Sequence, residues 1–319
     1  MKKKIIVPVV VVLICSVLAV VYFVSNRAAW EKRVYVSSPY GRAVKLFEIA
    51  YGSAEEQLYR TDIVEDAEIL GPKSFTIDRS GNFYVLDTLQ DKIKIFSDAG
   101  EYLDTIDLPQ ERYGLDLEIM DENLFLYDDD DHLYRIRTED PTQMDVITTV
   151  PRWCIEGIYR AGEELFIRSY NGADKVITTK DGGKQWNVEP DKTVIGLRKE
   201  GEERSDRQAE TITYDLTCRL LPAGACCLKR EEGILYTLSN ESGSQYVETI
   251  ISKIENGKVI GRALTISGRI YDYDTPFKTI YINNDVVYQM VPEENALAFY
   301  RIPWTMEYET RFSAEELGE

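Results

Sequence analysis

The 319-residue chain carries 55 acidic against 37 basic side chains, a net charge of −18. That balance argues against a nucleic-acid partner, because a phosphate backbone selects for positive surface. There is one histidine, His132. No Ser-His-Asp or Cys-His base can therefore come from elsewhere in the chain, and a histidine-ligated catalytic metal is excluded by the same count; with no C-x-x-C pair or Cys/His cluster in the sequence, a structural zinc site is not expected either.

The N-terminus reads as an anchor. Lys2, Lys3 and Lys4 precede an uncharged apolar run from Ile5 to Val24. At ~1.5 Å per residue the run spans roughly 30 Å, the hydrocarbon thickness of a bilayer. A cleaved signal peptide shares the basic-then-apolar layout and is the rival. Its core is shorter and ends at small residues, whereas this run continues into Phe23-Val24-Ser25-Asn26-Arg27. The leading lysines predict a cytoplasmic tip (residues 1–4), a single span (5–24), a juxtamembrane linker (25–42) and an extracytoplasmic domain (43–304) with an acidic tail (305–319). Arg27, Lys32 and Arg33, just beyond the span, oppose that orientation. The expected location is the cell membrane, single-pass.

Beyond residue 40 the chain reads as short strands and turns, with few windows of helical period. Ser74–Ile77, Phe83–Leu86, Lys92–Phe96 and Tyr102–Ile106 are four strands joined by Asp/Ser/Gly turns. The unit recurs. Phe83-Tyr84-Val85 has counterparts in Leu124-Phe125-Leu126 and Leu165-Phe166-Ile167, at a spacing of about 41 residues. Ile234-Leu235-Tyr236 and Val286-Val287-Tyr288 are later copies at irregular spacing. Four strands per unit of about 40 residues is the pattern of a β-propeller blade. Segments 71–110, 111–151, 152–190, 225–267 and 275–303 each read as a blade. Counting the shorter stretch 191–222, with its strand Thr211–Leu216, favours six blades, with five or seven as alternatives. Val44–Ile49 is apolar enough to add an outer strand to the last blade and close the ring.

Gly71–Pro109, with Ile77-Asp78, Gly81 to Asp87, Ile93, Ile95-Phe96 and Gly100, resembles an NHL-type repeat of the NHL-type/TolB-like six-bladed propellers. The resemblance implies a scaffold with a binding face rather than one chemistry. Thr179–Trp186 resembles an Asp-box, S-x-D-x-G-x-x-W with Thr for Ser. That resemblance implies a structural hairpin in which Asp181 and Gly183 form the turn and Trp186 packs between strands. No motif selects the arginine triad and Tyr/Glu pair a sialidase requires.

Asp128–Asp131 beside His132 is the most conspicuous charge run. A calcium site needs six to eight converging oxygens. The repeat instead places this run at the turn occupied by Asp87–Asp91, so it reads as a solvated hairpin turn. Cys218 could pair with Cys226 or Cys227 in an oxidising compartment, or all three could be small buried hydrophobes. In such propellers the loops entering the innermost strands converge at one end. Here they carry Lys73, Arg112, Tyr113, Arg152, Trp153, Tyr271 and Tyr273, with Phe277 nearby. Arginine and aromatic side chains concentrate contact energy in binding sites, and packing between blades is the alternative use of these residues. The expected function is a membrane-tethered binding module for a protein, peptide or glycan, with no cofactor and no catalytic residues. One alternative is a calcium-dependent hydrolase or lactonase. The other is a structural or assembly factor beside a membrane complex.

Overall fold

Alternating apolar residues in strands only four to ten long cannot bury both faces of an isolated sheet, and the chain solves this by stacking sheets side by side around an axis. A computed structural model describes residues 43–61, 70–109, 113–120, 123–138, 140–149, 155–162, 164–169, 175–180, 185–190, 194–199, 211–216, 226–231, 233–243, 246–255, 258–266 and 277–304. Strand β1 (Val44–Ala50) comes first. Blade one is β2 (Ser74–Ile77), β3 (Phe83–Asp87), β4 (Lys92–Phe96) and β5 (Tyr102–Asp107). Blade two is β6 (Gly114–Met120), β7 (Asn123–Asp128), β8 (His132–Arg137) and β9 (Asp140–Thr149). Blade three is β10 (Ile155–Ala161), β11 (Glu164–Ser169), β12 (Lys175–Lys180) and β13 (Gln185–Pro190). After β14 (Val194–Lys199) and β15 (Thr211–Leu216), blade four is β16 (Cys226–Glu231), β17 (Ile234–Gly243), β18 (Tyr246–Glu255) and β19 (Lys258–Leu264). Blade five takes β20 (Ile280–Asn283), β21 (Val286–Pro292) and β22 (Ala296–Ile302) from the end of the chain and β1 from its beginning.

The five segments read as blades are the five four-stranded sheets seen among the described residues. The favoured sixth is not one of them. Among the described residues of 191–222 are β14 and β15, which pair in parallel from Val194–Thr211 to Lys199–Leu216, with β15 beside β19. A blade needs short hairpin turns between antiparallel strands. The charged connection between Lys199 and Thr211 is of crossover length, which is the connection parallel pairing requires. Reading Thr211–Leu216 as a strand was right; counting it toward a blade was not.

Ring closure follows the expected scheme. β1 pairs antiparallel with β22 from Val44–Arg301 to Ala50–Ala296, so the outermost strand of blade five comes from the other end of the domain. The joint between blades five and one is packed with aromatics. Phe47, Phe75, Phe83, Phe96, Tyr281 and Phe299 are all buried there, with Phe47 edge-on to Phe83 at 4.9 Å and Phe83 edge-on to Phe299 at 5.3 Å. Such contacts add to area burial by about 0.5–1.5 kcal/mol per pair. Gly100 sits against the Phe47 ring at positive φ, so a side chain there would meet both backbone strain and a clash. A second tie reinforces the joint. Just after β1, the Gln57 carbonyl accepts from Lys94 and the Tyr59 amide donates to Asp87, a buried ion pair of blade one with Nζ and Oδ2 3.2 Å apart. Among the described residues no helix is long and apolar enough to cross a membrane. The expected span, Ile5–Val24, lies outside them.

Candidate functional site

The innermost strands are short, and their polar side chains recur at the repeat spacing. Ser74 and Thr76 on β2 face Asp116 and Glu118 on β6, 42 residues on, and these face the Ile158 and Arg160 amides on β10, another 42 residues on. Asp116 Oδ1 accepts from Ser74 Oγ at 2.5 Å and from the Leu117 amide at 2.7 Å, and Oδ2 accepts from the Ile158 amide at 2.8 Å. Glu118 Oε1 accepts from Thr76 Oγ1 and Tyr281 Oη, both at 2.7 Å. Lys278, which precedes β20, brings its ammonium into the middle. Its Nζ lies 3.0 Å from Asp116 and 3.6 Å from Glu118, and donates to the Leu117 and Ile158 carbonyls at 2.6 and 3.1 Å. Both carboxylates are fully buried and Lys278 is 3% exposed.

Four of the five blades thus meet in one polar knot, and each partner needed to offset burial is inside the protein. Burial is the dominant influence on Asp116 and raises its pKa above 3.8, against the opposing pull of Lys278, Ser74 and the Ile158 amide. Burial, and then the Glu118 charge, hold the Tyr281 phenol well above its usual range, so it stays a donor. Between blades four and five, Lys229 plays a similar part, donating to the Ile282 carbonyl at 3.1 Å and pairing with Glu231 at 2.9 Å.

A different arrangement lies at the end of the molecule where the first and second strands of each blade turn. A cleft of about 430 Å³ opens there, between the β2–β3 turn, the end of β6, the β8–β9 turn and β10. Arg79 and Ser80 edge it from blade one, Thr138 from blade two and Arg160 from blade three, over a floor that includes Tyr84 and Ile119. Asp78 also lines it, but its carboxylate is committed to the turn. Oδ1 accepts from the Ser80 and Asn82 amides at 2.8 Å each, and Oδ2 from the Asn82 side chain at 2.9 Å. Burial, with Asp78 beside it, pushes the Tyr84 phenol up to about 12, leaving it a neutral donor. Arg160 stands on β10, which pairs with β11 and whose Ile158 amide donates to the buried Asp116 at 2.8 Å; the Arg160 amide itself lies 3.4 Å from Glu118. The one guanidinium hydrogen bond it makes among the described residues is a long one, from Nη1 to the Ile119 carbonyl at 3.4 Å.

The sequence-predicted face is at the opposite end. Of its residues, Lys73 and Tyr113 are described. Lys73 is 5% exposed, and its carbonyl accepts from the Phe277 and Lys278 amides. Tyr113 is half-buried and packs on the core between blades two and three, as does Phe277. Arg112, Arg152, Trp153, Tyr271 and Tyr273 lie outside the described residues. In the Asp-box-like segment, Thr179 pairs with Trp186 across the β12–β13 hairpin, while Asp181 and Gly183 lie outside the described residues, as does Cys218. The Asp128–Asp131 run is a hairpin turn, with one correction. Asp128 is fully buried rather than solvated and accepts from the Asp130 and His132 amides at 3.1 and 3.0 Å, while Asp131 takes a left-handed φ of 68°. No three His, Cys, Asp or Glu side chains come together as a metal-holding group among the described residues. Sequence reasoning missed both the knot and the cleft. The signal for the knot was polar residues at alternate positions recurring 42 residues apart in innermost strands.

No protein-family model matches the sequence, and no curated protein does. Solved structures similar to it include a streptogramin B lyase, with TM-score 0.38 at 10% identity over 73% of this chain and 93% of that one. A glutaminyl cyclase from Myxococcus xanthus gives 0.39 at 10% identity over 82% and 96%. BamB from Moraxella catarrhalis gives 0.32 at 9% identity over 84% and 98%. At such values these likenesses carry no statement about chemistry, and the propeller assignment rests on the strand pairing.

Proposed function

We propose that this chain is a membrane-anchored, extracytoplasmic propeller that binds a protein, peptide or glycan without transforming it, its repeats being of the NHL type. The observation that carries this reading is the contrast in how the charges are used. The only acid-base-rich cluster near the axis among the described residues, Asp116, Glu118, Lys278 and Tyr281, is buried and internally paired. A general acid or base must instead reach a substrate proton. The cleft between blades one, two and three offers donors, an arginine fork and an apolar floor, which suits holding a ligand. The topology adds a geometric point: β1 runs antiparallel to β22, so Val44 enters the domain at the same end as the cleft. A span at 5–24 would therefore tether the cleft end.

The test pairs binding with turnover. The full chain in detergent is applied to arrays of peptides and glycans, and in parallel to ester and lactone substrates with and without calcium. Saturable binding of a ligand recovered unchanged supports the module. Calcium-dependent turnover would overturn it in favour of the hydrolase. Protease accessibility of the domain in intact cells and in lysed cells checks the membrane orientation.

A further inference from the structure

Resting on the membrane-anchored reading, we infer that residues 44–60 are a clasp released by tension: load arriving through the tether detaches this segment from the ring as a unit, while the axial knot keeps the five blades together. Chain connectivity singles out this joint. Every other pair of neighbouring blades is joined by chain that leaves one blade and enters the next, from β5 to β6, from β9 to β10, from β13 through β14 and β15 to β16, and from β19 to β20. Blade five takes its last three strands from the end of the domain, and blade one follows β1. The circle is therefore completed by strand pairing, not by a chain link.

The outer and inner halves of the joint are held by different means. At the outer rim, β1 has one ladder among the described residues, to β22, with a register shift between Lys45 and Phe47. Four of its seven residues are exposed, and Phe47 and Ile49 are the buried ones. The strap that follows touches both blades. On blade five, the Tyr51 amide donates to the Asn295 carbonyl at 3.2 Å, and the Arg60 guanidinium to the Glu293 and Glu294 carbonyls at 3.0 and 2.6 Å. On blade one, Leu58 is buried in the aromatic core, and Gln57 and Tyr59 meet Lys94 and Asp87. At the inner rim, Tyr281 donates to Glu118 and Lys278 pairs with Asp116, contacts in which residues 44–60 take no part. Loss of the clasp leaves β20, β21 and β22 paired with one another and fixed at the axis.

Ladder direction makes the clasp the first element to yield. Val44 faces Arg301, so loads entering before β1 and after β22 arrive at the same end of the ladder and part it pair by pair. β22 is held on both sides, by β1 and β21, whereas β1 is held on one.

The experiment holds the full chain in a surface-tethered bilayer nanodisc and pulls it by a DNA handle on its C-terminus in magnetic tweezers. The first abrupt step should lengthen the chain by about 60 Å, the extended span of residues 44–60 at ~3.3–3.6 Å each, and should reverse when the force is lowered. Later steps, at higher force, unfold blades. At fixed force, Arg60→Gln should speed the first step about tenfold and Phe47→Ala about a hundredfold, the milder variant serving if the second does not fold. Lys278→Met should speed the later steps and leave the first unchanged. The clasp is overturned if a retained chain shows no such first step, if neither clasp variant speeds it, or if Lys278→Met speeds it as much as they do. A chain that the nanodisc does not retain before force is applied sinks the anchor reading instead, and the loading of the clasp with it.

Discussion

The axial knot and the turn-end cleft use the same residue types to opposite ends. In the knot, Lys278 lies between Asp116 and Glu118, each carboxylate also accepts from a hydroxyl and a backbone amide, and all three side chains are out of water. In the cleft, Arg160 lines the concavity and, among the described residues, its guanidinium donates one long hydrogen bond to a carbonyl. Charge alone therefore does not mark a functional group. What separates the two regions is whether the partners that offset each charge belong to the protein. A buried pair saturated from within holds four blades in register, whereas the cleft arginine lines a concavity and makes a single long side-chain hydrogen bond among the described residues.

The largest effect comes from breaking the knot. In Lys278→Met, Asp116 and Glu118 lose their shared cation while remaining buried. Removing one partner of a buried ion pair costs about 3–5 kcal/mol, because the stranded charge remains. Urea unfolding of the full chain should show the midpoint falling by that equivalent with the slope unchanged. A loss within 1 kcal/mol, as an order-of-magnitude bound for surface changes, would show that the knot does not hold the blades. Tyr281→Phe is milder. It removes one donor to Glu118, whose Oε1 keeps Thr76 and the Ile119 amide. The expected loss is about 1–2 kcal/mol by the same unfolding assay.

The pH dependence sharpens the same contrast. The folded pKa of Asp116 lies above its ordinary 3.8, chiefly through burial. The native chain therefore holds this proton more tightly than the unfolded chain does. The stability contributed by this group is complete below the unfolded value and is lost as pH rises from 3.8 through the folded value. Asp116→Asn does not titrate there. The stability of wild type minus that of the variant should decline as pH rises above the ordinary carboxylate value, then level off. A difference that grows with pH would mean that Lys278 outweighs burial and depresses the pKa.

Much of the fold was legible because blades announce themselves locally. The turns at Asp78–Gly81 and Ser97–Gly100 combine side-chain caps with glycines at positive φ, and Phe83-Tyr84-Val85 repeats in the second strands β7 and β11. Even the closing strand β1 was visible from its apolar residues. The blade count failed where local signals stop deciding. Val194–Lys199 and Thr211–Leu216 look like blade strands, and only the direction of their pairing shows otherwise. The knot was hidden for another reason. Gly114–Met120 reads as an ordinary alternating strand whose acids should face water, yet all seven of its residues are buried, and the cation that offsets them is Lys278, 161 residues from the Leu117 carbonyl on that strand to which it donates. The cleft assembles from turns and strand ends of three blades, so no contiguous motif encodes it.

The smallest effect is expected at the cleft, and its smallness is informative. Arg160→Gln removes a half-buried guanidinium whose hydrogen bond to the Ile119 carbonyl is 3.4 Å long. Its backbone amide, which meets Glu118, is untouched. Stability should then change by no more than about 0.5 kcal/mol, the range of surface substitutions. A structural arginine would behave otherwise, because its loss would leave the Ile119 carbonyl without its donor and expose the end of β6. Melting of Arg160→Gln beside Lys278→Met therefore tests the division itself. A near-zero shift in the first and a large one in the second would mean that the cleft arginine is held for something outside the chain. Comparable shifts in both would mean that Arg160, like Lys278, is retained to hold the blades together.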